Sequence, residues 1–338
     1  MSRFLDVYLN STRVGRLRLG YDRRMSFEYS QAWLGDQDAI PLSLALPLQA
    51  AAFGDSEARA FFTNLLPESE LRRILARRLG LSNENDFALL EAVGGECAGA
   101  VSLFPDDTLP QLGGNYRVLD DQALNALIRD LPGRPMLAGE QGMRLSLAGA
   151  QNKLPVHFDG TEISLPINSA PSSHILKPPI ERYPNSIYNE AFCMQLALRV
   201  GLPVPHVTIL PKERPLYLVE RYDRRHIDGD LVRIHQEDFC QALSIPPDQK
   251  YEKEGGPTLA QCFSLTREHS LVPVQDIQAL LKWVVFNYLI GNADAHGKNL
   301  SLLLTTQGPM LAPFYDLMST AIYPDLNDRL AMRIGGED

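Results

Sequence analysis

The run Val274–Ile290 reads as an almost unbroken helix, apolar nearly all round through Ile277, Leu280, Leu281, Val284, Val285 and Tyr288. It stops at Gly291, directly before the octapeptide Asn292-Ala-Asp-Ala-His-Gly-Lys-Asn299. A helix with that pattern is predicted to be the buried core helix of a large lobe, and it delivers a loop crowded with chemistry. Behind the loop, Asn299–Leu304 and Met310–Asp316 are short apolar runs joined by the turn Thr305-Thr-Gln-Gly308 and closing on Tyr315-Asp316. Phosphoryl transfer needs such a set: a carboxylate to receive the proton of the attacking hydroxyl, then an amide and a second carboxylate to hold Mg²⁺ against nucleotide phosphates. Asp294 fits the first role, and Asn299 and Asp316 fit the metal-binding ones.

Two other readings use the same residues. Asp, Asn, Gly and His also follow helix ends for capping and turn chemistry alone, although capping does not predict the hairpin and the aromatic-Asp pair. Asp294 and His296 would chelate a divalent ion in a metal hydrolase, but such sites recruit further histidines and the others here are scattered.

At 338 residues the chain exceeds one comfortable core, which predicts two units. Lys plus Arg total 32 against 41 Asp plus Glu, and the resulting charge of −9 argues against gripping nucleic acid unaided. Arg72, Arg73, Arg77 and Arg78 read as the solvated face of an amphipathic helix more than as a binding patch. Cys97, Cys193, Cys240 and Cys262 show no paired spacing and sit in apolar surroundings, as reduced core residues of a cytosolic protein do. No stretch reaches the roughly 18 apolar residues of a membrane helix and the N-terminus lacks a signal-peptide pattern, so a soluble, cytoplasmic protein without a membrane partner is expected.

Phe4–Leu9, Val14–Leu19 and Met25–Tyr29 predict a small antiparallel sheet. Pro67 opens a helical pattern with Leu71, Ile74, Leu75 and Leu79 on one stripe before Gly80. The breaker-rich segment Phe104–Pro110 with Gly113-Gly114 is the candidate boundary. The expected division is an N-terminal unit over residues 1–105, a lead-in over 106–140, a small lobe over 141–225 and a large lobe over 226–338.

Arg144–Val156 reads as two strands bent around a loop, Ala148-Gly149-Ala150-Gln151, whose amides would lie over phosphates; an ordinary hairpin is the alternative. Lys177 ends the apolar run His174–Lys177, suited either to reach phosphate oxygens or to point at water. A helix is predicted from Ser186, as N-cap, to Val200, with Phe192, Leu196 and Val200 on one side. Glu190 near its start is either the partner of Lys177 or a first-turn acid favoured by the helix dipole. Leu216–Asp223 has the composition of a hinge strand, with Glu220 and Tyr222 placed to meet an adenine. The next helical run is predicted to begin at His235, with Gln236, Glu237 and Asp238 either capping its first turn or facing a nucleotide cleft.

These motifs, in this order, resemble the HipA-type serine/threonine kinases, toxins of bacterial type II toxin–antitoxin modules. The resemblance covers nearly the whole chain and rests on the N-terminal strands, Leu145–Lys153, His174–Lys177, Val219–Arg224, His235–Asp238, Gly291–Asn299 and Phe314–Leu317. It implies an α+β, protein-kinase-like two-lobed fold with an extra N-terminal strand-rich subdomain. It further implies that Asp294 is catalytic, that Asn299 and Asp316 hold Mg²⁺, and that Lys177 and Tyr315 contact ATP. His296 and Lys298 would support the loop or the transferred phosphate, and Ser146 would be an autophosphorylation site that switches the kinase off. The partners implied are a small HipB-like helix-turn-helix antitoxin, operator DNA through that antitoxin, and a translation-related protein substrate such as an aminoacyl-tRNA synthetase. The chain ends at Asp338, soon after Asp316, where kinases of this family continue into further helices, so the large lobe is expected to be incomplete. A catalytically inactive nucleotide- or antitoxin-binding module is the alternative, and a small-molecule kinase a third reading.

Overall fold

The computed structural model describes residues 2–106, 108, 114–140 and 142–337. The N-terminal sheet is antiparallel in the order β3-β2-β1-β4, with β1 Arg3–Leu9, β2 Thr12–Leu19, β3 Met25–Tyr29 and β4 Val101–Pro105. Alternation puts Leu5 and Val7 on the face covered by the helices Asp55–Thr63 and Asp86–Val93, where they pack with Phe27, Phe61, Phe62 and Leu90. Glycine is required at position 15: a Cβ there would lie 2.4 Å from the Glu28 carbonyl oxygen and 2.7 Å from the Phe27 ring. The three strands and the Pro67 helix are found close to where the sequence predicts them; the helix itself is Ser69–Arg78. On that helix Arg72 pairs with Asp86, and Arg73 with Glu70. Of the predicted boundary, Asp107, Leu109, Pro110 and Gly113 lie outside the described residues.

A second antiparallel sheet has the order β5-β7-β6-β8-β10-β9: β5 Asn115–Leu119, β6 Leu154–Phe158, β7 Ile163–Ile167, β8 His174–Lys177, β9 Val207–Leu210 and β10 Leu216–Glu220. Leu154, Val156, Leu165, Leu176, Leu216 and Leu218 form its core with the helix Asp121–Asp130. The ribbon β11 Arg224–Ile227 with β12 Asp230–Arg233 leads to a third sheet, β13 His235–Asp238, β14 Ser301–Thr305 and β15 Gly308–Leu311. That sheet shares a core with the helices Ser186–Arg199, Leu259–His269 and Pro273–Ile290. All the paired strands are antiparallel, so the molecule is α+β. Among the described residues no helix is long and apolar enough to cross a membrane, and the four cysteines are buried, unpaired thiols.

Five expectations fail locally, each for a physical reason. Residues 144–150 make no hairpin strand, because their backbone bonds go to the N-terminal unit: Glu96 N–H donates to Arg144 O at 2.7 Å, Ser146 N–H to Glu96 O at 2.8 Å, and Glu68 N–H to Gly149 O at 3.1 Å. Ser186 is not the N-cap; Asn185 stands there with φ 59°, and the Ser186 hydroxyl accepts from Ile180 N–H at 2.9 Å. On that helix Phe192, Leu196 and Val200 face outward, while Ile187, Ala191, Met194 and Ala197 are buried. His235–Asp238 is a strand, paired with β14, and the helix begins only at Phe239, where Asp238 caps it in a box with Gln241. The helix Pro273–Ile290 buries Leu280, Trp283, Val284 and Phe286, whereas Leu281, Val285, Tyr288 and Leu289 are 49–74% exposed, so it is buried along one stripe only.

Candidate active site

A cavity of about 870 Å³ lies between the second and third sheets, with one wall supplied by the N-terminal unit through Asn64 and Glu68. Ala148, Gly149, Ala150, Gln151, Lys177, Glu220, Tyr222, Gln236, Asp294, His296, Lys298, Asn299, Tyr315 and Asp316 all line it. Ser146 does not. It is wholly buried, and its hydroxyl donates to Leu65 O at 2.7 Å.

Pairing of β8 with β10 sets Lys177 opposite Tyr217 and carries its ammonium inward. Nζ lies 2.7 Å from Glu190 Oε1 and 2.5 Å from Asp316 Oδ1. Burial opposes a charge here, but the carboxylates of Asp316 and Glu190 hold the Lys177 ammonium above its ordinary range. The same contact, outweighing burial, holds Asp316 well below the usual carboxylate range. Asp316 has φ 59°, a left-handed conformation that aspartate tolerates better than most residues and that turns its carboxylate back toward β8. Lys153, which the sequence does not mark as a site residue, lines the cavity beside Asp316, and burial pushes its ammonium down to about 8. A cation between a loop and a strand has no periodic signature, so only its position after the Ala148–Gln151 loop could have pointed to it.

At the other end the Tyr222 and Tyr315 rings stack with centroids 5.4 Å apart at 23°, and the Tyr222 hydroxyl donates to Gln236 Oε1. The polar triplet of β13 splits: Gln236 and Asp238 reach the cavity, whereas Glu237 is fully buried against Ser43 and Leu44. Near the hinge, Glu220 and Arg221 have their backbone N–H groups taken by His206 O and Ser173 O, both at 2.9 Å. A buried ion cluster ties this region to the N-terminal unit, with Arg221 2.7 Å from Asp223, Arg224 3.1 Å from Glu96, and Gly99 N–H donating to Asp223 at 2.7 Å.

The octapeptide loop is held by its own side chains and by Asn287 of the helix before it. Asn292 Nδ2 donates to Asn287 Oδ1 at 2.7 Å, Asp294 N–H to Asn292 Oδ1 at 3.1 Å, and His296 N–H to Asn299 Oδ1 at 3.0 Å. The Asp294 carboxylate, exposed to the cavity, accepts from the Tyr251 hydroxyl at 2.6 Å. Burial pushes His296 down to about 4, so its imidazole is neutral near pH 7. Lys298 is engaged by Asn64 Oδ1 at 2.5 Å, Asp238 Oδ2 at 3.2 Å and Glu68 Oε1 at 3.5 Å. Sequence pattern gave no sign of Glu68, Tyr251 or Lys250, because they come from segments far from the loop.

The donor set suits a hard divalent ion beside a nucleotide. Asp316 and Asn299 offer side-chain oxygens, Lys177 and Lys153 are cations lining the same cavity, and no group of three or more His, Cys, Asp or Glu side chains able to hold a metal occurs among the described residues. Mg²⁺ is held in that manner, by one or two protein oxygens with phosphates and water completing its shell. Asn152 Oδ1 and His296 Nδ1, both at this cavity, are buried and find no hydrogen-bond partner among the described residues.

A sheet-built lobe carrying a Lys–Glu pair, above a lobe carrying Asp294, Asn299 and Asp316, defines a protein of the kinase-like class. Residues 145–338 match the family model of the HipA-like C-terminal domain, and residues 5–104 that of the HipA N-terminal domain. The chain is 48% identical over 342 residues to the "Putative kinase Y4mE" of Sinorhizobium fredii, covering 98% of this chain and 81% of that protein. It is 35% identical to the serine/threonine-protein kinase toxin HipA of Shewanella oneidensis, covering 98% and 79%. The solved complex of Shewanella oneidensis HipA, HipB and operator DNA includes a chain that superposes with a TM-score of 0.87 at 33% identity, covering 98% of this chain and 80% of that one. The chain belongs to the HipA family of serine/threonine kinases.

Proposed function

We propose that this protein is a Mg²⁺- and ATP-dependent serine/threonine protein kinase acting as the toxin of a toxin–antitoxin module. The observation that carries the reading is Lys177, held between Glu190 and Asp316 on the cavity that Asp294 and Asn299 also line. In this reading residues 1–105 are the N-terminal subdomain, 106–140 a lead-in, 141–225 the small lobe and 226–338 the large lobe. Adenine lies against Tyr222 and Tyr315, with Gln236 orienting Tyr222 and the backbone of Tyr222 reading the base edge, since the N–H groups of Glu220 and Arg221 are engaged. The Ala148–Gln151 loop, Lys153 and Lys177 take the phosphates. Asn299 and Asp316 hold Mg²⁺, which when bound neutralises phosphate charge.

Asp294 accepts the proton of the substrate hydroxyl as that oxygen bonds to the γ-phosphorus, and the bond from that phosphorus to the bridging oxygen breaks to release ADP. His296, neutral and buried, and Lys298, bound to Asn64, Asp238 and Glu68, support the loop. Ser146 is the proposed autophosphorylation site. Its modification requires the 144–150 segment to leave Leu65 and Glu96, which withdraws the loop from the phosphates. The partner proposed is a HipB-like antitoxin, which also supplies the contact to operator DNA; a chain of charge −9 fits that division of labour. A translation-related protein of the cytoplasm, such as an aminoacyl-tRNA synthetase, is the proposed substrate.

The test is intact-mass spectrometry of the dephosphorylated protein after incubation with Mg²⁺ and ATP, beside Asp294→Ala. A phosphate-sized gain mapped to Ser146 and absent from the variant is expected. Folded, ATP-binding protein that gains no mass would make this a binding module instead.

A further inference from the structure

We propose that Tyr251 is a positioning residue for Asp294, seated by an ion pair between Lys250 and Glu68 that makes the catalytic loop depend on the N-terminal unit. The inference rests on the reading of Asp294 as proton acceptor. Asp294 is an exposed carboxylate on a loop, and its side chain needs a fixed rotamer to meet an incoming hydroxyl within hydrogen-bond reach. The bonds within the octapeptide fix its backbone but not its carboxylate. Among the described residues, the hydrogen bond that this carboxylate accepts comes from the Tyr251 hydroxyl, 2.6 Å from Oδ1, which leaves Oδ2 for the substrate.

Tyr251 is itself firmly seated. Its ring meets His296 edge-on at 5.2 Å and 82°, and the Lys250 and Lys253 ammonium groups lie 5.4 and 5.8 Å from its centroid. Lys250 Nζ is 2.9 Å from Glu68 Oε2. Burial opposes the Glu68 charge, but Lys298 and Lys250 hold its carboxyl down at about 2. On the far side Glu252 N–H donates to Ala331 O at 3.0 Å, and the Glu252 carboxylate accepts from Arg333 N–H at 2.7 Å. The turn closes tightly behind: Gly256 N–H donates to Tyr251 O at 2.9 Å, and a Cβ at Gly256 would lie 2.3 Å from Gln249 O. A segment fastened at both ends suits a fixed orienting role better than a gate. Glu68 thus joins two cations, Lys298 within the catalytic loop and Lys250 next to Tyr251.

The test follows transfer of labelled phosphate from Mg²⁺-ATP to the full chain itself, as a function of ATP concentration. The proteins compared are the wild type, Tyr251→Phe, Glu68→Gln and Asp294→Ala. Tyr251→Phe is expected to lower the maximal rate about 10- to 100-fold with the half-saturating ATP concentration unchanged, since only the proton acceptor is misplaced. Glu68→Gln lowers it in the same direction, and Asp294→Ala abolishes it. A second readout needs no activity: by ¹³C NMR of labelled tyrosine, the Tyr251 phenol, which burial and then the Asp294 carboxylate hold above the ordinary tyrosine range, ionises at lower pH in Asp294→Ala than in the wild type. Tyr251→Phe at the wild-type rate, with Asp294→Ala silent, overturns this inference alone. Faster transfer by Tyr251→Phe also overturns it, because the phenol would then be a block. Transfer that persists in Asp294→Ala, or is absent from the wild type, overturns it together with the proposed function.

Discussion

Asn64 Oδ1 and Lys298 Nζ meet at 2.5 Å although 234 positions separate them in the chain. Asn64 follows the helix Asp55–Thr63 and is fixed there by donating to Ala60 O at 2.8 Å and Ile245 O at 2.9 Å. Lys298 is 5% exposed and shares its charge with Asp238 and Glu68. Lys298→Met would leave two buried carboxylates without their common cation, so a loss on the order of 3–5 kcal/mol is expected. Asn64→Ala removes one acceptor and costs about 1–3 kcal/mol. Urea unfolding of the single and double variants measures this; losses that simply add would show that the two residues are not coupled.

The Lys177–Glu190–Asp316 triad yields a prediction about nucleotide affinity rather than about fold alone. Lys177→Ala is expected to weaken ATP binding by at least 10-fold, since in the proposed reading one of the two phosphate cations is lost and Asp316 loses its ion-pair partner, keeping Lys153 beside it. Glu190→Gln keeps the cation but frees its position, and a smaller loss in affinity with a larger loss in rate is expected. Calorimetric titration with a non-hydrolysable ATP analogue checks both. Unchanged affinity in Lys177→Ala would remove Lys177 from the phosphate site.

How much of this was legible in the sequence follows from how local each signal is. β1, β2 and β3 are legible because partly alternating apolar runs and turn residues act over a few positions, and the loop from Asn292 to Asn299 because its chemistry is contiguous; of the expected hairpin, β14 lies close to its predicted place, whereas β15 is Gly308–Leu311 and does not run on to Asp316. Residues 144–150 have the pattern of a hairpin strand but do not form one, because their bonding partners, Glu96 and Glu68, lie in the other unit. His235–Asp238 has the polar look of a helix start, yet it is a strand because Ser301–Leu304 lies beside it. Hydrophobicity alone turns the apolar residues of Ser186–Arg199 and Pro273–Ile290 inward, and the exposure of Phe192 and Leu289 shows that the buried stripe is chosen by neighbours. Glu68 and Tyr251 could not be read at all, since a site residue supplied by a distant segment leaves no spacing to count.

The stacked pair Tyr222 and Tyr315 tests the orientation of the nucleotide. If adenine packs on these rings, Tyr222→Ala weakens ATP and ADP by the same factor, about 5- to 10-fold for a lost aromatic contact. Inorganic triphosphate, which has no base, should bind both proteins equally. A loss confined to ATP would instead put the rings near the γ-phosphate end.

Glu237 gives the pH prediction, because it is fully buried and burial pushes its carboxyl up to about 8 from an ordinary value of 4.5. Two hydrogen bonds oppose that shift without cancelling it: Leu44 N–H donates to one carboxyl oxygen at 2.9 Å and the Ser43 hydroxyl donates to the other at 2.5 Å. Between about pH 4.5 and 8 the folded state holds a proton that the unfolded chain has released. Stability from this group is therefore full below 4.5, falls across that window and is lost above it. Glu237→Gln mimics the neutral acid and does not titrate. The variant should match the wild type near pH 4.5 and exceed it by a few kcal/mol at pH 8.5, an order of magnitude set by a shift of several pH units at about 1.4 kcal/mol each. Urea unfolding of both proteins across that range decides the matter: a stability difference that stays constant with pH would mean that Glu237 is already ionised in the folded protein, with Ser43 and Leu44 bonding its carboxylate.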